Sequence, residues 1–182
     1  MAEQGLDDFR LAKQKAAARL GNADSRLLPS NAEIQEALLD YQRLFLGDAH
    51  AQHLRTLRRA ALQAMRVFES FAPRLVGPVL DGSAGCETAI SLHLFADPVE
   101  EVALFLMEQR IPNENGSATL RYPGDTTQIH PVHRFHAGNE RVELTVFPRQ
   151  ALRQAPLSPV NGRPMERAKP HAVAELVDSG AD

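Results

Sequence analysis

The chain has 182 residues, contains no tryptophan and has only 5% aromatic residues. Proteins that bind single-stranded nucleic acids stack bases on aromatic side chains, so this composition argues against a platform of that kind. The formal net charge of −3 argues against a general nucleic-acid binder, which usually carries a basic surplus. We therefore do not expect a nucleic-acid partner.

Cysteine is equally scarce, because Cys86 is the only one. A single cysteine can form neither an intramolecular disulfide nor a cysteine-based zinc cluster, and it suits a reducing cytoplasm. No apolar run approaches the roughly 20 residues that cross a bilayer, and the first residues lack the basic and apolar pattern of a signal peptide. We expect a cytoplasmic protein without a membrane partner.

Residues 1–50 are predicted to form a helical N-terminal extension. A first helix over 6–20 has a stripe at spacings of three and four residues: Leu6, Phe9, Lys13, Ala16 and Leu20. Ser30 and Glu33 have the spacing of a capping box for a second helix that ends at Gly47. A third helix from Asp48 to about Phe71 has its own apolar stripe: Leu54, Leu57, Ala61, Met65 (or Ala64), Phe68 and Phe71. The arginines opposite that stripe indicate a solvated face or, alternatively, a surface for anions.

The pattern changes to short strands after Pro73. The segment "RLVGPVL" (74–80) predicts a strand, and "AISLHLFA" (89–96) alternates apolar and polar residues as a half-buried strand does. Asp97-Pro98 predicts the start of a helix. Two strands around Pro123-Gly124-Asp125 and a strand at "RVELTVFP" (141–148) follow. The fold class is therefore α+β, a mixed sheet flanked by helices.

The remaining residues, 149–182, are rich in Pro and Arg, and they predict an extended C-terminal arm with a short helix from Pro170. Proline holds the chain extended and lowers the entropy lost on docking. We expect the arm to lie over its own domain. The alternative is that it docks on a second subunit or a partner protein.

The segments "LVGPVLDGS", "TAISLHLF" and "RVELTVFP" together resemble the nucleotidyltransferase fold of the DNA polymerase beta superfamily. In that family a first strand ends in a Gly-Ser turn, and a second strand carries two acids as Asp-x-Asp. A later strand supplies a third acid, and the acids hold two Mg²⁺ ions. The resemblance covers residues 53–147, so residues 51–148 are expected to form the core. It places Gly82-Ser83 at the turn and Glu143 at the third acid.

Both acids of the family's pair are absent, because Ala89 and Ser91 stand in their places. Magnesium prefers carboxylate oxygens, which neither residue offers. The resemblance therefore implies a domain that has lost two-metal catalysis, a pseudoenzyme acting as a binding or regulatory module. No cofactor is expected unless the domain is active, in which case the cofactor is Mg²⁺.

Other uses of the same residues stay open. Ser91, His93 and Glu143 should share one face of the sheet, and they are the candidate catalytic residues of an active enzyme with an atypical metal site built on Glu143 and His93. Asp81 or Glu87 would be further ligands. Three more histidines follow in "IHPVHRFH", where Pro131 leaves the register open: His130, His133 and His136.

The Gly-Ser turn also has a possible use without a metal. Backbone N–H groups of Gly82, Ser83 and Gly85 would bind the phosphate of a nucleotide, with charge from the strand-borne arginines. These arginines are Arg74, Arg121, Arg134 and Arg141. A third hypothesis, from a different class, is a structural or assembly protein in which the N-terminal helices form a homodimer.

Overall fold

The computed structural model describes residues 29–179. It begins with α1 (Asn31–Tyr41), one π-helical turn (Gln42–Leu46) and α2 (Gly47–Val67), followed by a 3₁₀ turn at Glu69–Phe71. Ser30 caps α1 through the predicted capping box, because its side chain accepts the N–H of Glu33 and the Glu33 carboxylate accepts the N–H of Ser30. The helix predicted over residues 6–20 lies outside the described residues.

Five strands form one mixed sheet in the order β1-β2-β5-β4-β3. Their bounds are β1 (Arg74–Val76), β2 (Ile90–Phe95), β3 (Glu114–Tyr122), β4 (Thr126–Ala137) and β5 (Glu140–Phe147). β2 and β5 are parallel, and the other neighbours are antiparallel. The α+β class with helices around a mixed sheet is thus confirmed.

One face of the sheet, the helix face, forms the hydrophobic core. Side chains alternate along a strand, so Ile90, Leu92 and Leu94 point to the same side and pack under α2. Leu54 of the stripe predicted on α2 and the turn after it is half-buried, and the other members are buried there: Leu57, Ala61, Ala64, Met65, Phe68 and Phe71. A helix α4 (Glu101–Glu108) and the C-terminal helix α5 (Pro170–Asp178) add Val102, Leu106 and Val173 to this core.

The opposite face, the arm face, carries Ser91, His93 and Phe95 of β2. Within the predicted arm (149–182), Arg149–Arg153 form a 3₁₀ turn and Pro170–Asp178 form α5. The extended part between them (154–169), called the arm from here on, joins the two edges of the sheet. The Leu157 N–H donates to the Arg121 carbonyl on β3, and Ala168 forms an antiparallel bridge with Leu75 on β1. The arm therefore lies over its own domain, as expected.

Two local predictions were wrong, and the structure defines the register that the sequence left open at Pro131. β1 ends at Val76 because Gly77, at φ +71°, turns the chain into a one-turn helix α3 (Pro78–Asp81). Asp97 does not cap a helix: α4 begins at Glu101, after a cis Asp97-Pro98 peptide bond. Pro131 leaves the register of β4 intact. It pairs with Ser117 on the edge strand β3, and the pairing of β4 with β5 begins at the next residue, Val132.

Candidate functional site

The arm face brings together the residues singled out on β2 and β5. Ser91 stands directly opposite Glu143 in the parallel register, and His93 stands opposite Thr145. Since both strands are regular, the expectation that Ser91, His93 and Glu143 share one face is confirmed. Ala89 directly precedes β2 and lies outside its paired register.

The carboxylate of Glu143 is bound by an arginine from β4. Arg134 stands opposite Glu143 in the antiparallel register, and its Nε donates to Glu143 Oε2 at 2.7 Å. Gly116 on β3 makes room for the guanidinium, because a Cβ at this position would lie 2.7 Å from Arg134 Nη1. The ion pair is partly shielded, since the two side chains are 24% and 25% exposed. The candidate third acid is thus already neutralised.

His93 is buried and is held by the arm. Its Nδ1 accepts a hydrogen bond from Arg167 Nε at 3.1 Å, so the ring carries its proton on Nε2. Burial, followed by the positive charge of Arg167, holds the pKa of His93 well below the ordinary value. His93 is therefore a neutral imidazole whose acceptor nitrogen is occupied by the arm.

Arg167 is the main contact of the arm with the sheet. Its guanidinium lies over the rings of Phe95 and Phe147, with 5.1 and 4.9 Å between Cζ and the ring centroids. Nη1 donates to the Ala151 carbonyl at 2.8 Å, whereas Nη2 is buried without a hydrogen-bond partner. Burial lowers the pKa of Arg167 to about 10.

A second buried polar pair lies beside this contact. Tyr122 Oη and His130 Nε2 are 2.9 Å apart, and both residues are nearly inaccessible. Burial lowers the pKa of His130 and raises that of Tyr122, so both groups are neutral near pH 7. His133 points to the helix face instead, where its Nδ1 contacts the side-chain amides of Asn113 and Asn115.

The turn at Gly82-Ser83 uses its backbone N–H groups internally. The N–H groups of Gly82 and Ala84 donate to the Pro78 carbonyl, and that of Ser83 donates to Asp81 Oδ1. The N–H of Gly85 donates to the Thr88 hydroxyl. A phosphate at this turn would have to replace these bonds, so the geometry does not favour the predicted nucleotide site. The turn also follows α3 rather than the end of β1.

Side chains of the N-terminal helices fix the same segment from the other side. Gln42 Nε2 donates to the Ser83 carbonyl, and His50 Nε2 lies 3.0 Å from the Gly82 carbonyl. Arg58 donates to the carbonyls of Val79 and Leu80, so this arginine is part of the fold rather than of a free anion-facing surface. The turn is therefore a packed structural element.

The donor set on the arm face does not fit Mg²⁺. Ala89 has no oxygen donor in its side chain, Ser91 offers a neutral hydroxyl, and Glu143 is paired with Arg134. Within residues 29–179 no group of three or more His, Cys, Asp or Glu side chains is placed to hold a metal ion. The two residues of the predicted atypical site, His93 and Glu143, each bind an arginine instead.

Two residues central to this face were not identified from the sequence. Arg134 was considered only as a source of charge, although a basic residue in β4 opposite a lone acid in β5 indicates a cross-strand pair. Arg167 was part of the unassigned arm, and nothing local predicts its position over Phe95 and Phe147. Its location depends on the tertiary bridge between Ala168 and Leu75.

A scan against protein-family models, a search of curated proteins and a search of solved structures each found no match to the chain. In the part of the chain that the structure describes, no helix has the length and apolar character to cross a membrane. The functional argument therefore depends on the residues and their geometry.

Proposed function

We propose that the chain is a nucleotidyltransferase-like domain without two-metal catalysis that acts as a binding or regulatory module. One observation carries this proposal: Ser91 and Glu143 stand opposite each other where the family has acids, and Glu143 is bound by Arg134. This supports a domain in which the positions that the resemblance assigns to acids lie together without the carboxylates that would hold a metal.

The order of the elements supports the nucleotidyltransferase-like part of the proposal. A long helix, α2, leads into β1, which is antiparallel to β2, and the strand with the acid lies parallel to β2. The layout departs from the expected one at the turn, because α3 separates Gly82-Ser83 from β1. The resemblance therefore depends on the strands more than on the turn.

The electrostatics support the loss of catalysis. A guanidinium stays protonated at all physiological pH values, so Arg134 supplies a permanent positive charge next to Glu143. A divalent ion at this position would be repelled by that charge, and no second or third carboxylate would hold it.

The proposal is tested by assaying the purified full chain for nucleotidyl transfer with labelled ATP, GTP, CTP and UTP in the presence of Mg²⁺ or Mn²⁺. We expect no transfer to water, to the protein itself or to added hydroxyl acceptors. The Glu143→Gln variant serves as the control. Transfer by the natural chain that disappears in this variant would overturn the proposal and support the active enzyme with an atypical site.

A second candidate function, homodimer formation through the N-terminal helices, is favoured by an exposed apolar ridge. We define the apolar ridge as six side chains of α1 and the π-helical turn, which are 36–71% exposed: Leu38, Leu39, Tyr41, Leu44, Phe45 and Leu46. No residue of α1 is fully buried, and within the described residues the apolar ridge is only partly covered. The ridge presents on the order of 500 Å² of apolar surface, a large share of the roughly 800 Å² per partner in a stable interface.

Sedimentation equilibrium at micromolar concentration tests this candidate. A dimer that becomes a monomer on Phe45→Glu substitution is the expected result. Met107 provides a matched control, because it is 72% exposed on α4, and Met107→Glu should leave the dimer intact. A monomeric natural chain would exclude a homodimer through the apolar ridge under these conditions.

A further inference from the structure

The edge of the sheet at β1 gathers three cationic side chains. Leu75 and Ala168 form a bridge with two backbone hydrogen bonds of 2.9 Å. Since side chains alternate, the residues that flank this bridge point to the arm face. Arg74 stands opposite His93 and Arg167 donates to His93, so both lie on the arm face, and Lys169 is the exposed residue that follows Ala168. We call these three residues the basic edge.

The two arginines of the basic edge have no acidic partner among residues 29–179. Arg74 Nη1 donates to the carbonyls of Ala72 and Pro73, and Arg167 binds His93 and the Ala151 carbonyl. The other strand-borne arginines differ in this respect, because each pairs with a carboxylate: Arg121 with Asp125, Arg134 with Glu143 and Arg141 with Glu87. The basic edge is thus an uncompensated positive site.

Such an arrangement is electrostatically unfavourable without a counter-ion. Burial lowers the pKa of Arg167 most, Tyr122 raises it in part, and the charge of Arg74 lowers it, so the two guanidinium groups repel each other. The ring of His93 does not balance the positive charge of the two arginines, because the ring is neutral. Desolvated cations in proteins are normally balanced by a bound anion or a carboxylate.

We propose that the basic edge binds a phosphate group, with Arg74 and Arg167 as its guanidinium ligands and Lys169 as a third cation. Guanidinium N–H groups bind phosphate oxygens strongly, and Arg167 keeps Nη2 without a hydrogen-bond partner, because Nε and Nη1 bind His93 and Ala151. Two arginines and a lysine balance a doubly charged phosphate better than a singly charged carboxylate. The amino end of α5, at Pro170, directly follows Lys169 and adds the positive end of a helix dipole.

This site goes beyond the proposed function, because its ligands are Arg74, Arg167 and Lys169 rather than Ser91 and Glu143, although Arg167 also binds His93 on the same face of the sheet. It also differs from the Gly-Ser turn, whose N–H groups are occupied. The phosphate would stabilise the contact between the arm and the sheet, since Arg167 and Lys169 belong to the arm and Arg74 belongs to the sheet.

Calorimetric titration of the full chain with inorganic phosphate, pyrophosphate and ATP tests the proposal. We expect saturable binding that weakens as the salt concentration rises. Arg74→Gln should reduce the affinity by about tenfold, as expected for the loss of a charge-assisted hydrogen bond, and Lys169→Gln should reduce it by a smaller factor. Arg66, which is exposed on α2, provides the control variant Arg66→Gln, and this variant should bind as the natural chain does.

The three ligands distinguish the source of the phosphate. Equal affinity for all three would indicate a site for free phosphate, and a preference for ATP that is lost in Arg74→Gln would indicate the phosphate moiety of a nucleotide. No binding of any of them at millimolar concentration would overturn the proposal. Unchanged binding in both Arg74→Gln and Lys169→Gln would also overturn it. Neither result depends on whether the domain transfers nucleotides.

Discussion

The ion pair between Arg134 and Glu143 should make a measurable contribution to stability. Exposed pairs contribute about 0–1 kcal/mol, whereas breaking a fully buried pair costs about 3–5 kcal/mol. The side chains of this pair are about one quarter exposed, and the bond between Nε and Oε2 is 2.7 Å long. We therefore expect a coupling free energy of about 1–2 kcal/mol, because residual solvent screens part of the attraction.

A double-mutant cycle with Arg134→Met and Glu143→Gln measures this coupling by urea denaturation. Each single variant should lose about 2 kcal/mol, and the double variant should lose less than the sum of the two. The pair between Arg43 and Asp40 on the N-terminal helices serves as the control, because its side chains are 77% and 56% exposed. A coupling free energy no larger than that of the control pair would refute the reasoning.

Three further perturbations have defined outcomes. The lowered pKa of His93 means that protonation favours the unfolded chain, so the free energy of unfolding should fall as the pH drops below about 6.5. The His93→Asn variant keeps an acceptor for Arg167 and should reduce this pH dependence, as measured by urea titrations at pH 5 and 7. Gly116→Ala should force the end of the Arg134 guanidinium to shift and weaken its coupling to Glu143, whereas an unchanged double-mutant cycle would contradict the close approach. Phe68→Ala should lower the free energy of unfolding by about 3–5 kcal/mol, because the ring is 1% exposed in the core.

Patterns with local causes were predictable from the sequence. The apolar stripe of α2 requires only helical periodicity, and the capping box of Ser30 and Glu33 requires only their spacing. The shared face of Ser91, His93 and Glu143 followed from strand alternation once both strands were identified. The nucleotidyltransferase resemblance itself stays a prediction.

Features that depend on long-range contacts were not predictable. The end of β1 at Val76 depends on how Gly77 starts α3, and "RLVGPVL" alone has the composition of a longer strand. The contact of Arg167 with His93 joins residues 74 positions apart, so no sequence window contains it. The lowered pKa of His93 follows from the burial of its ring and cannot be inferred from its neighbours in β2.

The central claim is that the arm face has the positions of a two-metal site with an arginine in place of the metal charge. A variant with Ala89→Asp, Ser91→Asp and Arg134→Gln supplies carboxylates at positions 89 and 91 and removes the guanidinium. Calorimetric titration with Mg²⁺ should show binding to this variant and none to the natural chain, and the matched variant with asparagine at 89 and 91 should not bind. No Mg²⁺ binding by the folded acid variant, or equal binding by the natural chain, would contradict the account.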